Sequence, residues 1–165
     1  MIELPKDLGV CILRDFTVED AEASAAMEYD SDVKRYVGDG IMKRTREQYI
    51  EQFPNKLDLM GYAIQAKDGR LAGRASLDQS FVPQEPNIAI VLSRDFQGIG
   101  FGRAVAHCIL SDWFCDVRGV AVRAEVHSDN SASLALLKSL GFVQTSERNE
   151  IGHDIYRLGR AKFKS

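Results

Sequence analysis

Apolar and polar residues follow two periods along this chain, and the two periods alternate from one segment to the next. In short segments apolar residues recur at every second position, which is typical of half-buried strands. In longer segments they recur at every third or fourth position, which is typical of amphipathic helices. Strands are predicted at 10–14, 62–66, 71–77, 87–93, 120–126 and 154–158, and helices at 18–29, 45–59, 100–114 and 130–142. This succession predicts a mixed α/β sheet.

Capping and turn residues mark where several of these elements begin, bend or end. Thr17 precedes the first helix as an N-cap, and Gly141 stands where the last helix should stop. Pro54 lies inside the second helix and predicts a kink or an early end there. The pair Asp68-Gly69 separates two strand segments, which predicts an antiparallel hairpin.

The stretch DFQGIGFGRA at 95–104 places three glycines at alternate positions between a predicted strand and a predicted helix. Glycine weakens a helix by up to about 1 kcal/mol relative to alanine, so three of them suggest the close approach of a ligand. Backbone N–H groups and the positive end of the helix dipole would meet there, which favours phosphate. A tight turn without a ligand is the simpler alternative. ATP and dinucleotide loops fit less well, because G-K-[ST] and G-x-G-x-x-G are both absent.

Composition limits the classes of partner. The chain has 165 residues, of which 45% are hydrophobic, so one domain over 1–165 can bury a core without metal or disulfide staples. A net charge of −3 provides no basic field for nucleic acid. Three dispersed cysteines predict neither a disulfide framework nor a metal site, which favours a reducing cytoplasm. The sequence shows no signal-peptide pattern and no stretch long enough to span a membrane.

Two blocks of the sequence resemble the GCN5-related N-acetyltransferase (GNAT) superfamily. Residues 97–102 match its Q/R-x-x-G-x-G/A loop, and AEVHSDNSASLALLKSLGF at 124–142 is similar to the strand and helix that follow. The resemblance covers almost the whole chain. The spacing of Asn130 and Ser133 resembles the branch of ribosomal-protein N-terminal acetyltransferases. It implies a mostly antiparallel sheet of about six or seven strands flanked by about four helices.

The resemblance also implies acetyl-CoA as the co-substrate, with no metal. In the family, the strand before the glycine loop splays from its neighbour and offers backbone amides to the thioester, and 90–93 occupy that position here. The loop amides hold the pyrophosphate. The implied cofactor-binding residues are Leu92, Ser93, Gln97, Gly98, Ile99, Gly100, Gly102, Arg103, Asn130 and Ser133. Arg103 has the alternative of being an ordinary solvated residue on the helix surface.

Glu125 is the candidate general base, because it resembles the glutamate that takes the amine proton in some relatives. A carboxylate beside an apolar cleft can have its pKa raised by desolvation, which suits that role. However, strand alternation places Arg123, Glu125 and His127 on one polar face, which would then face solvent or pair internally. His127 is an alternative base, since its ordinary pKa is close to neutral.

The proton for the departing thiolate needs another donor. Relatives often carry a tyrosine seven residues after the asparagine, but this chain has Leu137 there. Ser133 is the substitute that the resemblance implies, as the catalytic acid beside Glu125. The alternatives are that Ser133 only bonds back to its helix, or that water protonates the thiolate, since the thiol of CoA is a good leaving group.

The acceptor is expected to be a primary amine, either a peptide N-terminus or a small molecule. Acidic residues in the early and middle segments would attract a cationic amine or would be ordinary solvated charges: Glu28, Asp30, Asp32, Asp39, Asp78 and Glu85. Two rival functions stay open. One is a non-catalytic acyl-CoA-binding module, which the missing tyrosine supports, and the other is a nucleotide-binding domain. The chain is expected to be a monomer or a homodimer.

Overall fold

The computed structural model describes residues 2–37, 44–80, 84–117 and 119–163. Its central feature is one sheet of eight strands in the order β1-β2-β3-β4-β5-β6-β8-β7. The strands are β1 (Lys6–Asp7), β2 (Cys11–Arg14), β3 (Tyr62–Ala66), β4 (Leu71–Asp78), β5 (Asn87–Leu92), β6 (Ala121–Val126), β7 (Val143–Arg148) and β8 (Asp154–Gly159).

Every neighbouring pair in the sheet is antiparallel except β5 and β6. The predicted fold class, a mixed and mostly antiparallel sheet with flanking helices, is therefore confirmed. The eight strands exceed the expected six or seven because the structure adds β1 and β7. Neither has an apolar alternation that a sequence pattern would detect, since β1 has two residues and β7 is exposed at five of its six positions.

Five α-helices accompany the sheet in the described residues: α1 (Ala21–Glu28), α2 (Ser31–Val37), α3 (Arg46–Gln52), α4 (Phe101–Ser111) and α5 (Ser131–Ser139). The first predicted helix starts as a 3-10 turn over Val18–Asp20. The second changes from α to 3-10 geometry at Phe53, next to Pro54, as the predicted kink required. Helix α2 was not predicted from the sequence. Asp30 caps it by accepting bonds from the amides of Asp32 and Val33.

Two apolar clusters cover the two faces of the sheet. Val122 and Ala124 belong to the larger cluster, which contains the buried residues of α4 and α5. On β3, Ile64 belongs to this cluster, whereas its neighbour Ala63 belongs to the smaller cluster beneath α1 and α3. The alternation predicted for 120–126 is therefore correct, and it leaves Glu125 on the face that the α1 side covers. Among the described residues, no helix is long and apolar enough to cross a membrane.

Candidate active site

Strands β5 and β6 are parallel neighbours that separate soon after they meet. Within the described residues their register contains one pair, Asn87 with Arg123. The amide of Arg123 also donates to the Pro86 carbonyl at 3.0 Å, which closes the sheet at that end. Past this pair the strands diverge toward their carboxyl ends, and we call the opening between them the strand gap. The resemblance had implied this splay.

The backbone of β5 turns alternate residues toward the strand gap. Ser93 donates both its amide and its hydroxyl to the Ala72 carbonyl, each at 2.9 Å. Because backbone direction alternates along a strand, the amides of Leu92 and Ile90 face away from β4 and into the strand gap. The Leu92 carbonyl also points away from β4, and Gln97 Nε2 donates to it at 2.9 Å. Both donors of Ser93 are therefore used within the sheet, and its contact with the cofactor stays a prediction.

The glycine stretch forms a loop that ends in the N-terminus of α4. Gly98 and Gly100 have left-handed backbones, with φ of +74° and +96°, and a Cβ on either would touch nothing within 4 Å. Conformation rather than crowding thus requires glycine here. The first helical bond runs from the Ala104 amide to the Gly100 carbonyl at 3.1 Å. No described residue accepts a hydrogen bond from the amides of 98–103, so they are available to an anion.

The other positions of this loop differ in their exposure to solvent and in their contacts. Ile99 is 56% exposed, and Arg103 is exposed as well. A Cβ on Gly102 would make ordinary van der Waals contacts, 3.4 Å from Leu136 Cδ2 and 3.7 Å from Leu92 Cδ1. The start of α4 thus lies next to both β5 and α5. The loop therefore sits directly beside the strand gap.

Helix α5 begins at the same edge of the sheet, just after β6. Asn130 caps it, as predicted, and its Oδ1 accepts from the Ser133 amide at 3.1 Å. No described residue hydrogen bonds to the hydroxyl of half-buried Ser133, whereas Ser139 bonds back to the Leu136 carbonyl at 2.8 Å. The alternative considered for Ser133, a bond back to its own helix, is therefore absent among the hydrogen bonds of the described residues. Leu137 is buried in the core, 6% exposed.

Glu125 is held by two neighbours on the polar face of β6. Its Oε1 accepts from an Arg123 terminal nitrogen at 2.8 Å, and its Oε2 accepts from Asn149 Nδ2 at 2.7 Å. The side chain keeps 28% of its surface exposed. Close by, Arg123 Nε and Asn87 Oδ1 are buried and no described residue satisfies them. A buried donor and a buried acceptor beside a carboxylate favour a polar guest at this end of the strand gap.

Two histidines lie next to Glu125 at the end of β6. The rings of His127 and His153 meet edge to face, with centroids 5.6 Å apart. His127 Nδ1 accepts from the Asp129 amide at 3.1 Å, which places the proton of the neutral ring on Nε2. Burial lowers the pKa of His153, and His127 lowers it further, while Glu125 and Asp154 oppose that shift. His153 is therefore neutral at neutral pH.

Helix α2 contacts the residues that follow both diverging strands. Asp32 forms an ion pair with Arg94, which follows β5. At the other end of the helix, the Tyr36 ring lies edge to face with that of His127, which follows β6, with centroids 5.9 Å apart. The helix thus reaches both rims of the strand gap. Tyr36, Asn149 and His153 were not predicted as site residues, because they come from separate segments and share no spacing.

The acidic residues expected to attract a cation are already engaged. Glu28 pairs with Arg74, and Glu85 pairs with Arg157 at 2.6 Å. Asp78 accepts from the Ser80 amide at 2.8 Å. Asp30 caps α2, Asp32 pairs with Arg94, and Asp39 lies outside the described residues. Arginines therefore offset the charges of Glu28, Asp32 and Glu85, whereas Asp30 and Asp78 accept from backbone amides.

An open groove of about 770 Å³ lies along the other flank of α4. It shares Gly100 and Arg103 with the glycine loop and runs toward the N-terminal residues, away from Glu125 and Ser133. Across the described ranges, no group of three or more His, Cys, Asp or Glu side chains could hold a metal ion. Neither Glu125 nor Ser133, the two predicted catalytic residues, lines this groove.

Comparison with known proteins agrees with this architecture. The model of a family described as an acetyltransferase (GNAT) domain matches residues 11–143. The GNAT-family acetyltransferase from Bacillus anthracis superposes with a TM-score of 0.76 at 19% identity, over 92% of this chain and 96% of that one.

Two further solved structures have named substrates or ligands. The ribosomal-protein-S5-alanine acetyltransferase from Vibrio fischeri matches with a TM-score of 0.75 at 16% identity, over 99% of this chain and 100% of that one. Spermidine N-acetyltransferase from Vibrio cholerae, solved with CoA and spermine, has a TM-score of 0.73 at 16% identity, over 92% and 96% of the two chains. The similar structures thus include a member of the branch suggested by the sequence. Since the family model spans most of the chain, the protein belongs to the GNAT acetyltransferase family.

Proposed function

We propose that this protein is an N-acetyltransferase that moves the acetyl group of acetyl-CoA directly to a primary amine while both substrates are bound. Family membership supports acetyl-CoA-dependent acetyl transfer. The observation that carries the finer proposal is the strand gap, where free amides of β5 and the glycine loop adjoin the carboxylate of Glu125 and the hydroxyl of Ser133.

Acetyl-CoA would bind with its pyrophosphate on the glycine loop and its thioester in the strand gap. The amides of 98–103 and the helix dipole suit the pyrophosphate, and Arg103 can add charge. Leu92 and Ile90 present amides to the pantetheine arm and to the thioester oxygen, where negative charge develops during the reaction. Gln97 supports this surface by holding the Leu92 carbonyl. Asn130 contributes through its cap, which fixes the start of α5 beside the ligand.

The reaction then needs two proton movements. The amine enters as an ammonium group and gives one proton to Glu125, and its freed lone pair forms the new N–C bond with the thioester carbon. The C–S bond breaks and sulfur leaves with the electron pair. Ser133 protonates that thiolate and regains a proton from the nitrogen of the adduct. One proton is released overall, with the amide and CoA thiol as products.

The paired charges favour an acceptor with a single cationic amine. A polyamine such as the spermine bound in the Vibrio cholerae enzyme carries several positive charges. Glu28, Glu85 and Asp32 each have an arginine partner, so they offer little unbalanced charge to such a ligand. We therefore propose a peptide N-terminus or a small monoamine as the acceptor, which agrees with the ribosomal-protein branch.

The experiment is a steady-state assay that follows CoA thiol release with a panel of N-terminal peptides and small amines, with mass spectrometry to detect the acetylated product. Glu125→Gln is the test variant, and Glu147→Gln on exposed β7 is the control. We expect kcat to fall by a factor of about 10² or more in Glu125→Gln, while its Kd for acetyl-CoA stays within about threefold. Glu147→Gln should behave as the wild type.

Two results would count against the proposal. Tight acetyl-CoA binding without turnover on any amine would favour the non-catalytic binding module, for which the buried Leu137 in place of a tyrosine is the supporting observation. Equal loss of acetyl-CoA affinity and of kcat in Glu125→Gln would mean that the residue supports the site rather than accepting the proton.

A further inference from the structure

The turn between β7 and β8 folds around Asn149. Its side chain donates from Nδ2 to Glu125 Oε2 at 2.7 Å and accepts at Oδ1 from the amides of Ile151 and His153, at 3.1 and 2.8 Å. Its own amide donates to the His153 carbonyl at 3.0 Å. One asparagine thus fixes the carboxylate of β6 and the backbone that carries His153.

His153 is placed as a proton acceptor that the mechanism above does not use. It is 8% exposed, and no described residue hydrogen bonds to its ring nitrogens. His127, by contrast, already uses Nδ1 to accept from the Asp129 amide, so protonation there would break that bond. The only other histidine of the chain, His107, packs against Phe163, with ring centroids 5.4 Å apart.

Glu125 must pass on any proton that it takes from an amine before it can act again. Its two oxygens already accept from Arg123 and Asn149. The acceptor of that proton has to be a group held close to the carboxylate. The neutral imidazole of His153, carried by the turn that Asn149 ties to Glu125, has a ring nitrogen with a lone pair for this purpose.

We propose that His153 receives the proton that Glu125 takes from the amine, and that Asn149 is the positioning residue that holds the two together. This inference rests on the acetyl transfer proposed above. The proton moves from the ammonium nitrogen to Glu125 and then to a ring nitrogen of His153. The imidazolium releases it to solvent before the next turnover, so no other reactant is required.

The surroundings of His153 set the pH at which it can act. The titratable and charged groups that face it or its neighbours are Glu125 and His127 from β6 and its end, Asp154 from β8 with its partner Arg148 from β7, and Tyr36 from α2 against His127. Burial and His127 lower the pKa of His153 below its ordinary 6.5, against Glu125 and Asp154. The ring is therefore free to accept a proton at neutral pH and loses this capacity as pH falls through the lowered pKa.

The test combines kinetics with NMR titration of the histidine rings in the full-length protein. His153→Gln should lower kcat/KM at least about tenfold at neutral pH and remove the acid limb of its pH profile. Its Kd for acetyl-CoA should stay within about threefold. His107→Gln should keep the wild-type rate and profile. In the ligand-free protein, Glu125→Gln should move the titration of His153 to lower pH, because it removes a negative charge.

Asn149→Ala provides the test of positioning. It should lower kcat and move the titration of His153 toward its ordinary value, because the opened turn admits water. A wild-type rate and pH profile in folded His153→Gln would overturn the inference. A titration of His153 that is unchanged in both Glu125→Gln and Asn149→Ala would overturn it as well. Absence of turnover by the wild type on every amine would instead overturn the acetyltransferase proposal itself. The NMR result separates the two failures, because it needs no substrate.

Discussion

At the scale of single residues, Ser133 offers the sharpest test of the proposed chemistry. Ser133→Ala should lower kcat about tenfold or more, since it removes the donor to the thiolate, while acetyl-CoA affinity changes little. This loss of kcat is small for the removal of an acid catalyst, because the thiol of CoA is a good leaving group. Ser139→Ala is the matched control on the same helix, because that hydroxyl bonds back to Leu136. Steady-state thiol release measures both variants.

An unchanged kcat in Ser133→Ala would assign protonation of the thiolate to water. That outcome would leave Asn130 as the residue at the start of α5 with a clear contribution, through its bond to the Ser133 amide.

The backbone roles of residues near the glycine loop could be predicted from the sequence, whereas the long-range partners of Glu125 could not. Gly98 and Gly100 adopt the positive φ angles that a strand-to-helix loop needs, and Asn130 caps its helix. The bond from Arg123 to Glu125 joins two residues of the same strand face, and the alternation of β6 had allowed such internal pairing. The bond from Asn149 depends on how β6 aligns with the β7–β8 hairpin, which no local pattern encodes, so this second partner was not predictable.

At the scale of elements, the packing of β4 against β5 determines the shape of the strand gap. A Cβ on Gly73 would lie 2.2 Å from the Val91 carbonyl oxygen and 2.9 Å from Leu92 Cδ2. Gly73→Ala must therefore displace the backbone of β5. We expect the free energy of unfolding to fall by at least about 2 kcal/mol, measured by urea denaturation, and acetyl-CoA affinity to fall with it.

Gly159→Ala is the control for this prediction. A Cβ there meets nothing within 4 Å, and its φ of −86° suits any residue. Its stability should be unchanged or slightly higher than that of the wild type. Equal stability of both variants would show that β5 is not held against β4 as closely as described.

The start of α1 is attached to β2 by a buried ion pair. Asp20, 7% exposed, accepts two bonds from the Arg14 guanidinium at 2.7 and 2.8 Å and one from the Thr17 amide at 2.9 Å. Burial alone would raise the pKa of Asp20, but these bonds outweigh it and lower the pKa below its ordinary 3.8. The stabilisation is therefore present above that value and is lost as pH falls through the lowered pKa.

Asp20→Asn should lower the free energy of unfolding by about 1.5–3 kcal/mol at neutral pH, with a smaller difference in acid. The measurement is urea denaturation at a series of pH values. Asp7→Asn, at the exposed Lys67 pair, should change stability little. A difference between wild type and Asp20→Asn that stays constant down to low pH would contradict a role for the charged carboxylate.

Long amphipathic elements were predictable, while short or exposed ones were not. The segments that became α4 and α5 carry enough apolar residues on one side to show a period, as do the central strands. Helix α2 has seven residues and β7 lies at the edge of the sheet, so neither needs a strong apolar pattern. Both nevertheless contribute to the candidate site, α2 through Tyr36 and the β7 hairpin through Asn149.

At the scale of the whole molecule, the fold brings the proposed cofactor site and the proposed proton carriers together at the carboxyl ends of β5 and β6. The divergence of β5 and β6 exposes amides that suit the proposed acyl donor, and the elements that follow these strands carry the proposed anion site and the proposed proton carriers. Arginine partners offset the charges of Glu28 and Glu85, two of the acids expected to attract a cation. This pairing supports the proposed monoamine acceptor.

The most direct test of the central claim is calorimetric titration of acetyl-CoA into wild type, Gly100→Val and Gly69→Val, with ATP and NAD as comparison ligands. Gly69 has a φ of +91° in the β3–β4 hairpin, so it matches the backbone strain of Gly100, about 1–2 kcal/mol, away from the loop. We predict micromolar binding of acetyl-CoA to wild type and Gly69→Val, and at least tenfold weaker binding to folded Gly100→Val. No binding by the folded wild type, preference for ATP or NAD, or full affinity in Gly100→Val would contradict the account.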